Sequence, residues 1–144
     1  MEYKGLVIGG LLPALAFGLA GILQKSASRS TPGMGPYLLC IGLGVLLTGA
    51  IYTAMTTDRN ITLPAGTMAL GIGLSWGTGM LLVGLGIGHF AVPLSKLAPL
   101  YNMNTLVVVL LALVFFAEAR EVMVPRLVLG TLLILAGGAV VARS

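Results

Sequence analysis

The sequence contains few of the side chains on which most soluble enzymes depend. Charged residues make up 8% of its 144 residues, and it has one cysteine and one histidine. The lone Cys40 has no partner for a disulfide bond within the chain, and His89 has no neighbours at a metal-ligand spacing. No Ser/His/Asp set and no carboxylate pair lies within an apolar segment, so we expect neither catalysis nor a metal or other cofactor. No basic cluster is large enough to indicate nucleic acid.

Apolar residues dominate what is there. They form 58% of the chain, and the mean hydropathy is +1.07, which excludes an ordinary soluble domain. The runs are continuous rather than alternating, which favours helices over a membrane β-barrel. We therefore predict an all-α integral membrane protein. The five transmembrane helices are expected at residues 5–24, 36–55, 64–88, 94–117 and 125–142.

The first and third predicted spans have distinctive small residues. A cleaved signal peptide is the alternative for the first span, but its apolar run exceeds the usual ~7 to 15 residues, so we favour a retained helix. Pro13 predicts a kink there, and the four-residue spacing of Gly10, Ala14 and Gly18 predicts close helix contact. The third span is the richest in glycine, so we expect it to be central in the bundle.

The fourth span, within residues 93–118, organises the chain. It is free of charge over residues 97–117, yet polar side chains crowd its first half. Polar groups are costly in hydrocarbon, so this cluster is expected to face protein or a wet cavity.

The positive charges flanking the spans show no bias. Five spans place the two termini on opposite sides of the membrane, and each side then carries four Lys or Arg residues. The N-terminal side has Lys4, Arg59, Arg120 and Arg126, and the other has Lys25, Arg29, Lys96 and Arg143. This balance allows copies to insert both ways up.

Three segments resemble one known family. They are the first span from Phe17-Gly18 to Lys25, the proline-bounded stretch that ends at Glu118, and residues 127–141 with Gly130, Leu133-Ile134 and Gly137-Gly138. In these features the chain resembles one five-helix EamA-type repeat of the drug/metabolite transporter superfamily. Typical members carry two such repeats, the second inverted relative to the first, so the resemblance implies half of a secondary transporter in a prokaryotic inner membrane.

A single repeat can complete that plan by pairing with an inverted copy. We expect an antiparallel homodimer, or a pair with a paralogous half, that moves a small metabolite, drug or lipid-like solute by alternating access. The related small multidrug exporters need an acidic residue in the first helix, and residues 5–24 contain none, which argues against proton-coupled export of cations. The alternatives are a non-transporting membrane subunit and one half of a heterodimeric lipid-carrier flippase.

Asn102 and Asn104 are the sharpest candidates for substrate binding. Their amides offer both donors and acceptors to a neutral or zwitterionic solute, and a kink at Pro99 would widen a cavity beside them. Two residues apart on a helix means about 200°, so both cannot face one cavity squarely. The alternative is that they bridge to neighbouring helices. Tyr101 is a weaker candidate beside them.

The remaining candidates lie on other turns of the predicted spans. Lys96 and Lys25 can attract an anionic group or simply extend to lipid headgroups. Ser75 and Trp76 form the polar-aromatic cluster of the third span, where they line a cavity or pack. His89 can relay protons, although its place at a helix end favours a loop contact.

Overall fold

The structure is a computed structural model that describes residues 2–30, 32–57, 59–115 and 123–143, without the side chains of Glu2 and Ala142. Within these ranges the chain is helical and contains no strand. Five helical segments are long and apolar enough to cross a bilayer. The prediction of an all-α, multi-pass membrane protein is therefore confirmed. Glu118, Arg120 and Glu121, and with them the predicted end of the fourth span, lie outside the described residues.

The helix bounds differ from the predicted ones by a few residues, except in the fourth span. In chain order the elements are α1 (Glu2–Leu6), a π-helical turn (Val7–Leu11), α2 (Leu12–Ser28), α3 (Met34–Met55), α4 (Leu63–Gly88), α5 (Leu94–Tyr101), α6 (Asn104–Phe115) and α7 (Val124–Arg143). The stretch from α1 to α2 forms one span, Tyr3–Ser28. The fourth span, expected as one helix with a kink at Pro99, consists of α5 and α6.

Proline shapes two of the spans, Pro13 from within the first and Pro64 at the beginning of the third. The π-helical turn ends two residues before Pro13, and this wider winding accommodates a ring that cannot donate a backbone hydrogen bond. Pro64 lies in the first turn of α4, as predicted, where a missing amide hydrogen costs nothing. The Thr62 hydroxyl accepts a hydrogen bond from the Ala65 amide at 3.4 Å and caps this end of α4.

The chain divides into two compact units, residues 1–91 and 92–144. In the first unit, α4 packs against both α2 and α3. Gly84 forms the closest approach, since a Cβ added there would lie 3.1 Å from the Met34 sulfur. Other glycines of α4, such as Gly73 and Gly79, face open space, as do Gly10 and Gly18 in the first span. Among the described residues of the first unit, most of the predicted glycine contacts are thus not made.

In the second unit, α7 packs against α5 and α6. Thr131 and Gly138 are the buried positions on α7 among the described residues. The Thr131 hydroxyl donates a 2.8 Å hydrogen bond to the Leu127 carbonyl one turn earlier, so its burial leaves no polar group unpaired.

Apolar side chains are mostly exposed in the single chain. Ile87 is the one buried hydrophobic side chain among the described residues, whereas Leu70, Leu74 and Val114 are each more than 70% exposed. In water this exposure would prevent folding, but lipid tails are as apolar as leucine and solvate such surfaces. The exposure therefore matches a membrane environment.

Ala91 carries the one strained backbone conformation that the described residues show outside glycine. Its φ of 52° lies in the left-handed region, where a Cβ costs about 1 to 2 kcal/mol. We expect Ala91→Gly to raise the free energy of unfolding by about 0.5 to 1 kcal/mol, because glycine relieves this strain but gains freedom in the unfolded chain. Ala91→Val, with its branched Cβ, should lower it. SDS titration in mixed micelles measures both changes, and an Ala91→Gly variant less stable than the parent would contradict the backbone assignment.

Candidate functional site

The candidate site is centred on the helix break at Asn102 and Met103, between α5 and α6. Around this break the backbone winds more tightly than an α-helix. The amides of Met103, Thr105 and Leu106 each donate to the carbonyl three residues earlier, at 3.1, 3.1 and 3.0 Å. Such 3₁₀ bonding in mid-span often marks a functional hinge or a strained sequence.

The residues at the helix break explain why the helix stops there. Asn102, Asn104 and Thr105 have low helix propensity, since their short polar side chains compete for backbone hydrogen bonds. The break follows the eight residues of α5, so it lies about 12 Å into the span at ~1.5 Å per residue. The break thus places two exposed asparagine side chains within the span, and polar side chains at hydrocarbon depth need cover from protein or water.

Gly138 on α7 packs against the backbone next to the helix break. A Cβ added at Gly138 would lie 3.7 Å from the Pro99 carbonyl oxygen and 3.9 Å from Cγ of Met103. Gly138 thus lets α7 approach the backbone on which the break is built. The Gly137-Gly138 pair is visible in the sequence, but nothing there connects it with the fourth span.

The predicted site residues of the second unit lie on one span. Asn102 lies in the helix break, Asn104 follows it as the first residue of α6, and both are exposed in this unit. Tyr101 is the last residue of α5 and is 37% exposed, and Lys96 is half-buried in the first turns of that helix. The structure therefore places these four residues at or near the helix break. Asn102 and Asn104 supply two side-chain amides there, and Tyr101 supplies a phenol.

The predicted site residues of the first unit do not form an enclosed pocket with one another in the described structure. Ser75 and Trp76 lie near the middle of α4 and are exposed, Trp76 at 41%, and Lys25 is half-buried near the end of α2. Neither of the two cavities described for this unit is lined by any of the three.

Gln24 is a residue whose role the sequence does not reveal. It is 4% exposed, and its Nε2 donates a 3.3 Å hydrogen bond to the Met80 carbonyl, which joins α2 to α4. A Cβ at Gly84 would lie 3.7 Å from the same nitrogen. In the sequence, a glutamine at the end of an apolar run indicates a polar contact. The partner of Gln24 cannot be predicted until the pairing of α2 with α4 is known.

A cavity of about 230 Å³ lies where α2 and α4 end and α3 begins, and we call it the end cavity. Its lining residues are Ser28, Pro32, Met34, Leu85, Gly88 and His89. The Ser28 hydroxyl donates a 2.8 Å hydrogen bond to the Lys25 carbonyl. The imidazole of His89 meets the Phe90 ring edge-on, with centroids 4.8 Å apart.

The part of the chain that the structure describes contains no group of three His, Cys, Asp or Glu residues able to hold a metal ion. No family model matches this chain, and no curated protein sequence or solved structure matches it either. Function is therefore inferred from the residues of this chain and their geometry.

The contact between Gly84 and Met34 gives a stability test. We expect Gly84→Leu to lower the free energy of unfolding by about 1 to 3 kcal/mol, because the added side chain has no room between α4 and α3. Gly79→Leu on the same helix is the matched control, since a Cβ there meets nothing within 4 Å. SDS titration compares the two, and equal stability of both variants would contradict the packing described.

Proposed function

We propose that this chain is one five-helix half of a secondary transporter, which pairs with an inverted second copy to move a small solute by alternating access. The observation that carries the proposal is the helix break in the fourth span. Many transporters bind substrate near mid-membrane at discontinuous helices, where freed backbone groups and helix ends meet the solute. A discontinuity lies at Asn102 and Met103, after the first 8 residues of the 22-residue span Leu94–Phe115.

The side chains at the helix break suggest a substrate class. Asn102 and Asn104 supply donors and acceptors without charge, and Tyr101 adds a hydroxyl and an aromatic face. The nearest cation along this span is Lys96, six positions before Asn102, and the described part of the span holds no carboxylate. A neutral or zwitterionic solute fits these groups better than an organic cation does.

Exposure of the polar residues supports pairing. Asn102 and Asn104 are exposed in the second unit and Trp76 is exposed in the first, and polar groups at membrane depth are costly. A second copy can cover them, and an inverted copy does so with the inverted-repeat plan common among transporters. The equal Lys and Arg counts on the two sides permit both orientations. The resemblance to an EamA-type repeat, and with it a prokaryotic inner membrane, remains part of this proposal.

Water access to the helix break tests the proposed cavity without knowledge of the substrate. In a Cys40→Ala background, we expect Asn104→Cys to react with a membrane-impermeant methanethiosulfonate reagent added to intact cells. The matched control is Leu110→Cys, on a different face of α6 from Asn104 and also exposed in its unit. This position should be unreactive, because thiols in lipid are not ionised. Equal reactivity of the two cysteines, or none at Asn104→Cys, would contradict a wet site at the break.

Transport itself is measured by metabolite profiling of cells and medium. Production of the wild-type chain should change the distribution of at least one neutral or zwitterionic compound across the membrane. The double variant Asn102→Leu, Asn104→Leu should abolish that change, while Val108→Leu should keep it. A distribution that survives the joint replacement of Asn102, Asn104, Trp76 and Lys96 would remove the proposed site.

A further inference from the structure

One side of α4 carries small residues that nothing in its own unit covers. Gly71, Ser75 and Gly79 follow one another at four-residue intervals, so they lie within about 80° of each other around the helix axis. A Cβ added at Gly71 or Gly79 would meet nothing within 4 Å, and Ser75 is exposed. We call these three positions the small face of α4.

The small face points away from the helices that α4 packs against in its unit. Gly84 lies nine residues after Ser75, which is about 180° around the helix axis, and Gly84 is the residue that approaches Met34 on α3. The buried side chain of Ile87 lies about 120° from Ser75 by the same count. The contacts of α4 with α2 and α3 therefore leave the small face available for another partner.

The hydroxyl of Ser75 makes no hydrogen bond among the described residues. By contrast, Thr67 and Thr78 on the same helix donate to backbone carbonyls at 2.9 and 2.8 Å. Ser75 is the middle residue of α4, which spans Leu63–Gly88. Lipid tails offer no hydrogen-bond partner at that depth, so an unpaired hydroxyl there is costly. The small face thus fits a partner that brings a polar group to the middle of the membrane.

The residues of this side of α4 are arranged symmetrically about Ser75. Gly71 and Gly79 lie four positions before and after it. Met68 and Leu82 lie seven positions before and after it, on the same side of the helix, and both are exposed, at 71% and 62%. If two α4 helices cross antiparallel at their middles, Gly71 of each copy faces Gly79 of the other, and Met68 faces Leu82. The two Ser75 residues then face each other on the two-fold axis.

We propose that the small face of α4 is the surface on which a second, inverted copy of this chain packs, with the two Ser75 hydroxyls hydrogen-bonded to each other. Glycine allows two helix backbones to approach closely, and close packing drives association between helices in lipid. The symmetry about Ser75 favours the inverted copy, because a pair of copies the same way up does not require it. This inference rests on the pairing in the proposed function and adds the surface on which the copies meet.

Disulfide formation between copies tests both the surface and its direction. In a Cys40→Ala background, one tagged copy carries Gly71→Cys, a differently tagged copy carries Gly79→Cys, and iodine oxidises thiols within the membrane. A disulfide requires Cα atoms within about 7 Å, so an inverted pair should give mixed dimers at least about fivefold more often than dimers of like copies. Ser75→Cys should form dimers with itself.

The matched control is the pair Gly73→Cys and Gly77→Cys. These two glycines are also symmetric about Ser75, but they lie about 160° from it around the helix. We therefore expect no dimers from this pair. Dimers from the control pair as abundant as those from Gly71→Cys and Gly79→Cys would overturn the assignment of the small face.

The failure of this inference is distinguishable from that of the proposed function. Like dimers that exceed mixed ones would show copies the same way up and overturn both. No dimers from the small face, or like dimers as abundant as mixed ones, would overturn this inference alone when cross-linking of Ser30→Cys to Thr57→Cys at one membrane face still reports inverted pairs.

Gly79→Leu separates association from folding. Its side chain has room within the unit, so the free energy of unfolding of single chains in dilute micelles should not change. On the small face it should raise the Kd of pairing, measured by energy transfer between labelled copies, by at least about tenfold. Gly73→Leu, on the opposite side of α4, should leave that Kd within about twofold. An unchanged Kd in Gly79→Leu would contradict the contact.

Discussion

Inside a bilayer every backbone amide and carbonyl must be satisfied within the protein, and this constraint dictates most of the structure. It selects helices, and it allows their apolar side chains to remain exposed, because lipid replaces the buried core of a soluble domain. Stability within each unit then comes from a few close contacts. Gly84 against Met34 and the hydrogen bond from Gln24 to Met80 are the ones that join α2, α3 and α4. Their energies are small, since side-chain hydrogen bonds between membrane helices average about 0.6 kcal/mol.

At the helix break, the described part of the fourth span departs from regular α-helical hydrogen bonding. Asn102 and Asn104 flank tightened backbone at hydrocarbon depth, and Gly138 on α7 brings a second backbone close to it. Backbone of this kind persists in membranes where protein covers it or where it lines a water-filled cavity. Within their own unit the two asparagines are exposed, so the cover must come from outside that unit. In this account Asn102 and Asn104 take part both in substrate binding and in the pairing of two copies.

The sequence was enough to predict the class and the five spans, because bilayer thickness demands about 20 apolar residues per helix and such runs are unmistakable. It was also enough to single out Asn102 and Asn104. The break between them could not be predicted, since propensity differences of up to about 0.7 kcal/mol per residue do not decide a helix whose packing is unknown. Gln24 was missed for a related reason, as its partner Met80 is 56 positions away and only the pairing of α2 with α4 joins them. The predicted glycine contacts of α4 remain mostly open to lipid or to a second copy.

The relative orientation of two copies tests the central claim most directly. In a Cys40→Ala background, one tagged copy carries Ser30→Cys and a differently tagged copy carries Thr57→Cys, at opposite ends of the span formed by α3. A membrane-impermeant bis-maleimide added to one face can join only cysteines on that face. An inverted pair predicts mixed Ser30→Cys/Thr57→Cys products. Products that join like copies alone, Ser30→Cys to Ser30→Cys or Thr57→Cys to Thr57→Cys, would show copies inserted the same way up and would contradict the account.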